Sequence, residues 1–160
     1  MALTLLTDAY DSVTNIDTYW SNRSNTDWTD LSTSKKESYI RQGTDWIDRN
    51  FNFSGIRAAS SQRLKWPRTS AEDLDGFVVG ETDAPWQVKE ATAIVADLFR
   101  QGTYDLEGIV TSDQAIVREK VDVIEVEYSN SLRQQGQDVL NHVHQLLAPL
   151  TTQYGQLLRA

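Results

Sequence analysis

The sequence predicts a mainly α-helical protein with one short β-hairpin. In four segments, apolar residues recur at i, i+3 and i+4, which is the spacing of one buried helix face. Between residues 115 and 128 the pattern changes to alternation of apolar and charged residues, which is typical of half-buried strands. We therefore predict three helices, a hairpin and a fourth helical segment.

The first helix is predicted near residue 14. Thr14 is a suitable N-cap, and Asp17 would place a carboxylate at the positive end of the helix dipole. The apolar residues of this helix are Ile16, Tyr19 and Trp20. The polar residues 21–30 are expected to form a turn after it.

The second helix is predicted from Lys35 to about Asn50. Ser34 and Glu37 have the spacing of a capping box. Gly43 lies on the apolar face although Gly costs about 1 kcal/mol relative to Ala in a helix, so we expect close approach of another helix. The residues of this face are Tyr39, Ile40, Gly43, Trp46, Ile47 and Phe51.

The third helix is predicted after a long acidic connection at residues 69–82. Asp83 is its expected N-cap, and Pro85 lies in the first turn, where its missing N–H is not needed. Gly102 is expected to end the helix. The buried face consists of Val88, Ala91, Ile94, Val95, Leu98 and Phe99.

The hairpin is predicted with its turn at about residues 121–123, because the apolar residues change there from odd to even positions. A single long, bulged strand is the alternative. The last apolar face runs from Val139 to Leu150 and is followed by a polar tail. We therefore divide the chain into a helical domain at residues 1–135 and a C-terminal helix and arm at residues 136–160.

Length and composition are those of one ordinary soluble domain. The chain has 160 residues, of which 39% are hydrophobic and 24% charged, so it can bury a core. No apolar run approaches the roughly 20 residues of a membrane span, and no basic residue precedes the apolar N-terminal residues. We expect the chain to remain in the cytoplasm.

The sequence contains no grouping of residues typical of an enzyme or a metal site. His142 and His144 are the only histidines, and their spacing points them to different helix faces. Asp73 and Asp75 resemble part of a calcium loop, but the closing Glu is missing and Gly76 comes too early. The absence of cysteine excludes disulfides and thiolate-ligated metals. We expect neither catalysis nor a cofactor.

The net charge of −8 is distributed unevenly. Residues 35–68 carry eight Lys or Arg and three Asp or Glu, whereas residues 69–130 carry four and fourteen. A protein that grips phosphate backbones usually has a net basic domain. An acidic wall would instead suit a channel through which DNA slides. A solvated acidic surface is the alternative interpretation.

A cluster of cations surrounds one tryptophan in the loop after the second helix. The cations are Arg57, Arg63, Lys65 and Arg68. They could grip a phosphate chain while Trp66 stacks on a base. We favour the alternative, in which Trp66 is a core anchor and the cations pair with acids of the same or an adjoining subunit, because residues 69–130 supply many acids.

The five tryptophans fall into two groups. Those on or beside helical apolar faces are predicted to lie in the core, and they are Trp20, Trp46 and Trp86. Trp28 and Trp66 are predicted to lie in loops. Only these two are therefore candidates for an interface.

Several motifs occur in an order that resembles a known family. The helix at residues 39–48 leads to Lys65-Trp66-Pro67-Arg68, and the later motifs are Asp73-Leu74-Asp75-Gly76, the helix start at residues 83–92 and the strand-like run at residues 117–128. In this order, residues 10–150 resemble the head–tail connector proteins of tailed bacteriophages. This adaptor or head-completion group is also labelled DnaT-like single-stranded-DNA-binding protein.

The resemblance implies a small helical bundle with a short β-hairpin and an extended C-terminal arm. It implies a homo-oligomeric ring, usually a dodecamer, that is assembled in the host cytoplasm and lies beneath the portal protein at the neck of the virion. The ring would extend the channel for double-stranded DNA without binding it tightly and would dock a stopper or tail-completion protein. No catalysis is implied.

The subunit or partner interface is predicted to combine the basic loop with C-terminal apolar residues. These residues are Arg57, Arg63, Lys65, Trp66, Arg68, Leu146, Leu147, Leu150, Leu157 and Leu158. By the resemblance, the arm is expected to dock against the portal, so removal of residues 149–160 should reduce attachment to portal-bearing heads. The fold should stay nearly unchanged, because the helices at 35–50 and 84–101 are expected to need nothing from the arm. A single-stranded-DNA-binding module is the alternative function, and a structural homo-oligomer elsewhere in the virion is a third.

Overall fold

The computed structural model describes residues 2–102, 119–121, 124–126 and 131–152, with side chains for 2–102 and 138–152. About 52% of the described residues are helical, which confirms the predicted mainly α-helical class with a small hairpin. Its helices are α1 (Val13–Ser21), α2 (Thr26–Thr29), α3 (Thr33–Asn50), α4 (Trp86–Gln101) and α5 (Ser131–Leu147), followed by a short 3-10 helix (Ala148–Leu150). The strands are β1 (Ile56–Arg57), β2 (Arg68–Thr69), β3 (Glu119–Val121) and β4 (Ile124–Val126).

Helices α3 and α4 pack closely at the centre of the bundle. A Cβ atom on Gly43 would lie 3.0 Å from the carbonyl oxygen of Thr92 and 3.1 Å from the backbone nitrogen of Ala96. This confirms the expected close approach of another helix at Gly43. The predicted buried face of α4 is also confirmed, and Gly102 ends that helix in the left-handed conformation.

Three predicted helix starts are wrong. Ser12 caps α1, accepting the N–H of Asn15, so Thr14 lies inside the helix. Ser32 is the N-cap of α3 and makes no side-chain cap bond, which excludes the capping box at Ser34. Pro85 precedes α4 as its N-cap, while Asp83 accepts the N–H of Ala84 before the helix begins.

The core has two parts that meet across α3 and α4. The larger part joins these helices with the loop after α3 and with Val143, Leu147 and Leu150. The smaller part lies where α1 and α2 pack against α3 and α4, and it contains Ile16, Trp28 and Ile40. Within the described ranges, no helix combines the length and apolarity needed to cross a lipid bilayer.

The burial of two tryptophans, Trp28 and Trp86, differs from the prediction. Trp28 is fully buried, and its Nε1 donates to Asp17 at 3.0 Å; it lies in a helix of four residues, too short to show an apolar periodicity. Trp86 is the first residue of α4 and is 64% exposed, so it is not part of the core. Trp46 is buried as predicted.

Both strand pairs are antiparallel. In the first, Ile56 faces Thr69 and Arg57 faces Arg68. In the second, Val121 faces Ile124, which confirms the predicted hairpin and its turn and excludes one long strand. The first pair leaves no alternating pattern in the sequence, because each of its strands has only two residues.

Residues 148–152, which follow α5, are part of the fold. Leu150 is fully buried, and its carbonyl oxygen accepts the N–H of Ser54 at 2.9 Å. The N–H of Thr152 donates to the carbonyl oxygen of Asn52 at 3.0 Å. This corrects the expectation that residues 149–160 can be removed without loss of stability, because their removal would take Leu150 out of the core.

Candidate functional site

The loop between α3 and β2 forms one wall of an open cleft, which we call the basic cleft. The cleft has a volume of about 800 Å³. Its lining includes five cationic side chains and two carboxylates: Arg49, Arg57, Arg63, Lys65, Arg68, Asp45 and Asp48. The cleft is therefore formally positive on a protein whose total charge is −8.

One aromatic residue, Phe53, lines the cleft and packs on a second one, Trp66. The ring centroids of Phe53 and Trp66 lie 5.3 Å apart, and both side chains are buried. Gly80 lies against the ring of Trp66, which leaves no space for a side chain there. Because neither ring is exposed, neither can stack on a nucleic-acid base in this arrangement.

Arg68 holds the loop together. Its Nε and Nη2 donate to the carbonyl oxygens of Ser54 at 2.6 Å and Gly55 at 2.7 Å, and its Nη1 donates to that of Lys65 at 3.1 Å. Burial lowers the pKa of Arg68, and the nearby charge of Arg57 lowers it further. Its role is thus to connect two stretches of backbone.

Lys65 is also engaged by the protein. Its Nζ donates to the carbonyl oxygen of Phe51 and, at 3.1 Å, to Oδ1 of Asn52. Its backbone N–H donates to Oδ2 of Asp48 at 3.1 Å. Burial lowers the pKa of the Lys65 side chain, and the charge of Asp48 opposes that change.

A buried phenol connects Asp48 to the N-terminal segment. Tyr10 is fully buried, and its hydroxyl donates to Oδ1 of Asp48. Burial raises the pKa of Tyr10 above its usual range, and the negative charge of Asp48 raises it further. Burial also raises the pKa of Asp48, against the effect of the hydrogen bonds from Tyr10 and Lys65.

The two remaining predicted cations lie at the exposed rim. Arg63 binds Oδ1 of Asp45 at 2.8 Å and the carbonyl oxygen of Thr7 at 3.2 Å. Arg57 donates to the carbonyl oxygen of Gln62 at 3.2 Å and forms no ion pair with a carboxylate among the described residues. Arg57 is therefore the cation of this cluster with the most unused donor capacity.

A second surface follows β2, and we call residues 72–78 the acidic turn. Oδ1 of Asp73 accepts the N–H groups of Asp75 at 3.0 Å and Phe77 at 2.9 Å. These two hydrogen bonds show that Asp73 closes the turn. Leu74 and Phe77 are 83% and 69% exposed, and Val78 is exposed beside them.

One family model matches residues 5–160, and its description is "putative DnaT-like ssDNA binding protein". The chain belongs to this family. The matched range includes the whole of the basic cleft and the acidic turn. No curated protein and no solved structure is significantly similar to the chain.

The structure places the predicted interface residues in three environments. It brings Arg57, Arg63, Lys65 and Arg68 together around the cleft. It buries Trp66, Leu147 and Leu150 in the core of the chain and covers part of Leu146. This corrects the assignment of the three buried residues to an interface, because their side chains have no exposed surface. Leu157 and Leu158 lie outside the described residues.

The acidic turn was missed as a candidate surface. The signal was present, since residues 69–83 contain five Asp or Glu and no Lys or Arg, yet Leu74, Phe77 and Val78 lie among them. Apolar residues within a charged, Gly-containing turn have no helix or strand face to which they can be assigned. Such residues are candidates for contact with another molecule.

Proposed function

We propose that this member of the DnaT-like family is a structural head–tail adaptor of a tailed bacteriophage. In this role it forms a homo-oligomeric ring of twelve subunits beneath the portal protein at the neck of the virion. The ring extends the channel for double-stranded DNA and docks the next stopper or tail-completion protein. The role requires no catalytic step.

The observation that carries this proposal is the group of exposed apolar side chains on an acidic surface. Leu74, Phe77 and Val78 are exposed in the acidic turn, and Trp86 is exposed at the start of α4. Large apolar side chains that are exposed within one short turn, as Leu74, Phe77 and Val78 are, are typical of protein–protein contacts. Acidic surroundings repel phosphate groups, so the partner of this surface is a protein.

Single-stranded-DNA binding is the second candidate, because the family description names it and the basic cleft has a positive formal charge. Two features weigh against it. Lys65 and Arg68 already donate to oxygen atoms of the protein. The rings of Phe53 and Trp66 are buried, whereas single-strand binders present exposed rings for stacking.

The proposal is tested by attachment to portal-bearing heads. The purified protein should bind to heads that lack it, and the double substitution Leu74→Ser with Phe77→Ser should reduce the bound amount without lowering the free energy of unfolding. Leu5→Ser is the matched control, since Leu5 is half exposed and lies outside the acidic turn. Equal attachment of all three proteins would remove the basis of the proposal.

A further inference from the structure

We infer that the acidic turn of one copy of this chain docks in the basic cleft of a neighbouring copy. The inference rests on the proposed ring, and it identifies the two surfaces that join its subunits. Because the two surfaces differ, the contact is head-to-tail, and head-to-tail contacts can close into a ring.

The cleft has fewer carboxylates than cations, with two Asp against five Lys or Arg in its lining. Arg57 lies directly opposite Arg68 in the β1–β2 pair, and like charges in this position destabilise a strand pair. The two carboxylates that line the cleft are already bound, Asp45 by Arg63 and Asp48 by Tyr10. An acidic group from outside would relieve the repulsion between the two arginines.

The acidic turn contains no cation to balance its carboxylates. Residues 69–83 contain no Lys or Arg, and Asp75 is exposed at the tip of the turn, where its side chain makes no ion pair with any residue that the structure describes. The charges of the turn and the cleft are therefore complementary, as they are at specific interfaces.

Both surfaces also expose apolar side chains. Ile56 lines the cleft and is 71% exposed, and Leu74 and Phe77 are the two most exposed apolar residues of the turn. A nucleic-acid backbone would leave these three side chains in water, whereas contact between turn and cleft would bury them together. A volume of about 800 Å³ accommodates several side chains of such a turn.

Cross-linking tests the contact directly, because the chain has no cysteine of its own. A mixture of the single variants Leu74→Cys and Ile56→Cys should form a disulfide-linked dimer under mild oxidation. A mixture of Leu74→Cys and Ser34→Cys is the matched control, since Ser34 is exposed at the end of α3 away from the cleft, and it should form far less. Equal yields from the two mixtures would overturn the inference.

Charge reversal provides an independent test. Asp75→Lys and Arg57→Glu should each weaken self-association by about tenfold, measured by sedimentation over a range of concentrations. The double variant should associate more tightly than either single variant, because it restores opposite charges in every contact. Asp30→Lys, at an exposed position in another part of the chain, is the control and should have no effect. Failure of the double variant to recover would contradict the contact.

The outcomes separate this inference from the proposed function. Attachment to portal-bearing heads without the specific cross-link would retain the adaptor and overturn the docking of turn in cleft. The specific cross-link without attachment would retain the docking and overturn the adaptor. Loss of the cross-link on addition of a single-stranded oligonucleotide, with Arg57→Glu abolishing binding of that oligonucleotide, would assign the cleft to nucleic acid and overturn the inference.

Discussion

At the scale of single residues, the Tyr10–Asp48 pair determines how the cleft is held on α3. Asp48 accepts a hydrogen bond from Tyr10 with one oxygen and from the backbone of Lys65 with the other. It therefore joins three segments that are distant in sequence. Burial would penalise the charge of Asp48, and these hydrogen bonds compensate for it.

Tyr10→Phe should lower the free energy of unfolding by about 1–3 kcal/mol at pH 7, because the buried carboxylate loses a hydrogen-bond donor. The raised pKa of Tyr10 in the folded protein gives this difference a pH dependence. The stability linked to the protonated phenol is complete below the unfolded-state pKa of about 10 and decreases as the pH rises above it. Urea unfolding at pH 7 and at about pH 10.5 should thus show a smaller difference at the higher pH. A constant difference would contradict the assignment.

At the scale of elements, the faces of α3 and α4 were predictable because repeated apolar spacing reflects burial directly. The helix starts were not, because Ser12 competes with Thr14 and Ser32 with Ser34 within two residues. Trp86 was misassigned because periodicity shows which residues share a face and does not show where a neighbouring element stops covering it.

The site was predictable only in part, and for a related reason. The cations could be identified from their number in one short loop. Their partners could not, because Arg68 binds the backbone carbonyl groups of Ser54 and Gly55 and side-chain type does not reveal such contacts. The strand pair that places Arg57 opposite Arg68 is also too short to leave an alternating pattern.

Gly43→Ala tests the contact between α3 and α4. Alanine gains about 1 kcal/mol in helix propensity, whereas its Cβ would lie 3.0 Å from the carbonyl oxygen of Thr92, and overpacking typically costs about 1–3 kcal/mol. We expect a net loss of about 1 kcal/mol in the free energy of unfolding, and a larger loss for Gly43→Val. Lys35→Ala on the exposed part of α3 should change stability by less than about 0.5 kcal/mol. A stabilised Gly43→Ala protein would show that the helices can separate without loss.

Leu150→Ala tests the attachment of the segment after α5. Leu150 is fully buried in the larger core, so its truncation should lower the free energy of unfolding by about 2–5 kcal/mol. Leu146→Ala is the matched control, because Leu146 is only partly buried against the same core and its truncation should cost less. Both values are measured by denaturant unfolding. Equal losses would show that Leu150 contributes no more to the core than its partly exposed neighbour.

At the scale of the whole molecule, positive and negative side chains occupy separate surfaces. Residues 35–68, which have an excess of cations, contribute the lining of the basic cleft, where several cations bind oxygen atoms of the chain itself. The acids of residues 69–83 lie on the surface. The molecule therefore combines a net charge of −8 with one local positive region. Such a distribution favours ordered contacts between copies and opposes accumulation on a polyanion.

Affinity for DNA should consequently be low. We expect single- and double-stranded oligonucleotides to bind no more tightly than the usual non-specific range of about 10⁻⁴ to 10⁻⁶ M at physiological salt, measured by fluorescence anisotropy. Arg57→Glu should leave this weak affinity within about twofold while it weakens self-association, because the rim arginine is proposed to bind an acidic protein segment and not a phosphate chain. Nanomolar binding to a single strand that falls steeply with rising salt and is lost in Arg57→Glu would contradict this expectation. That result would instead assign the basic cleft to single-stranded DNA.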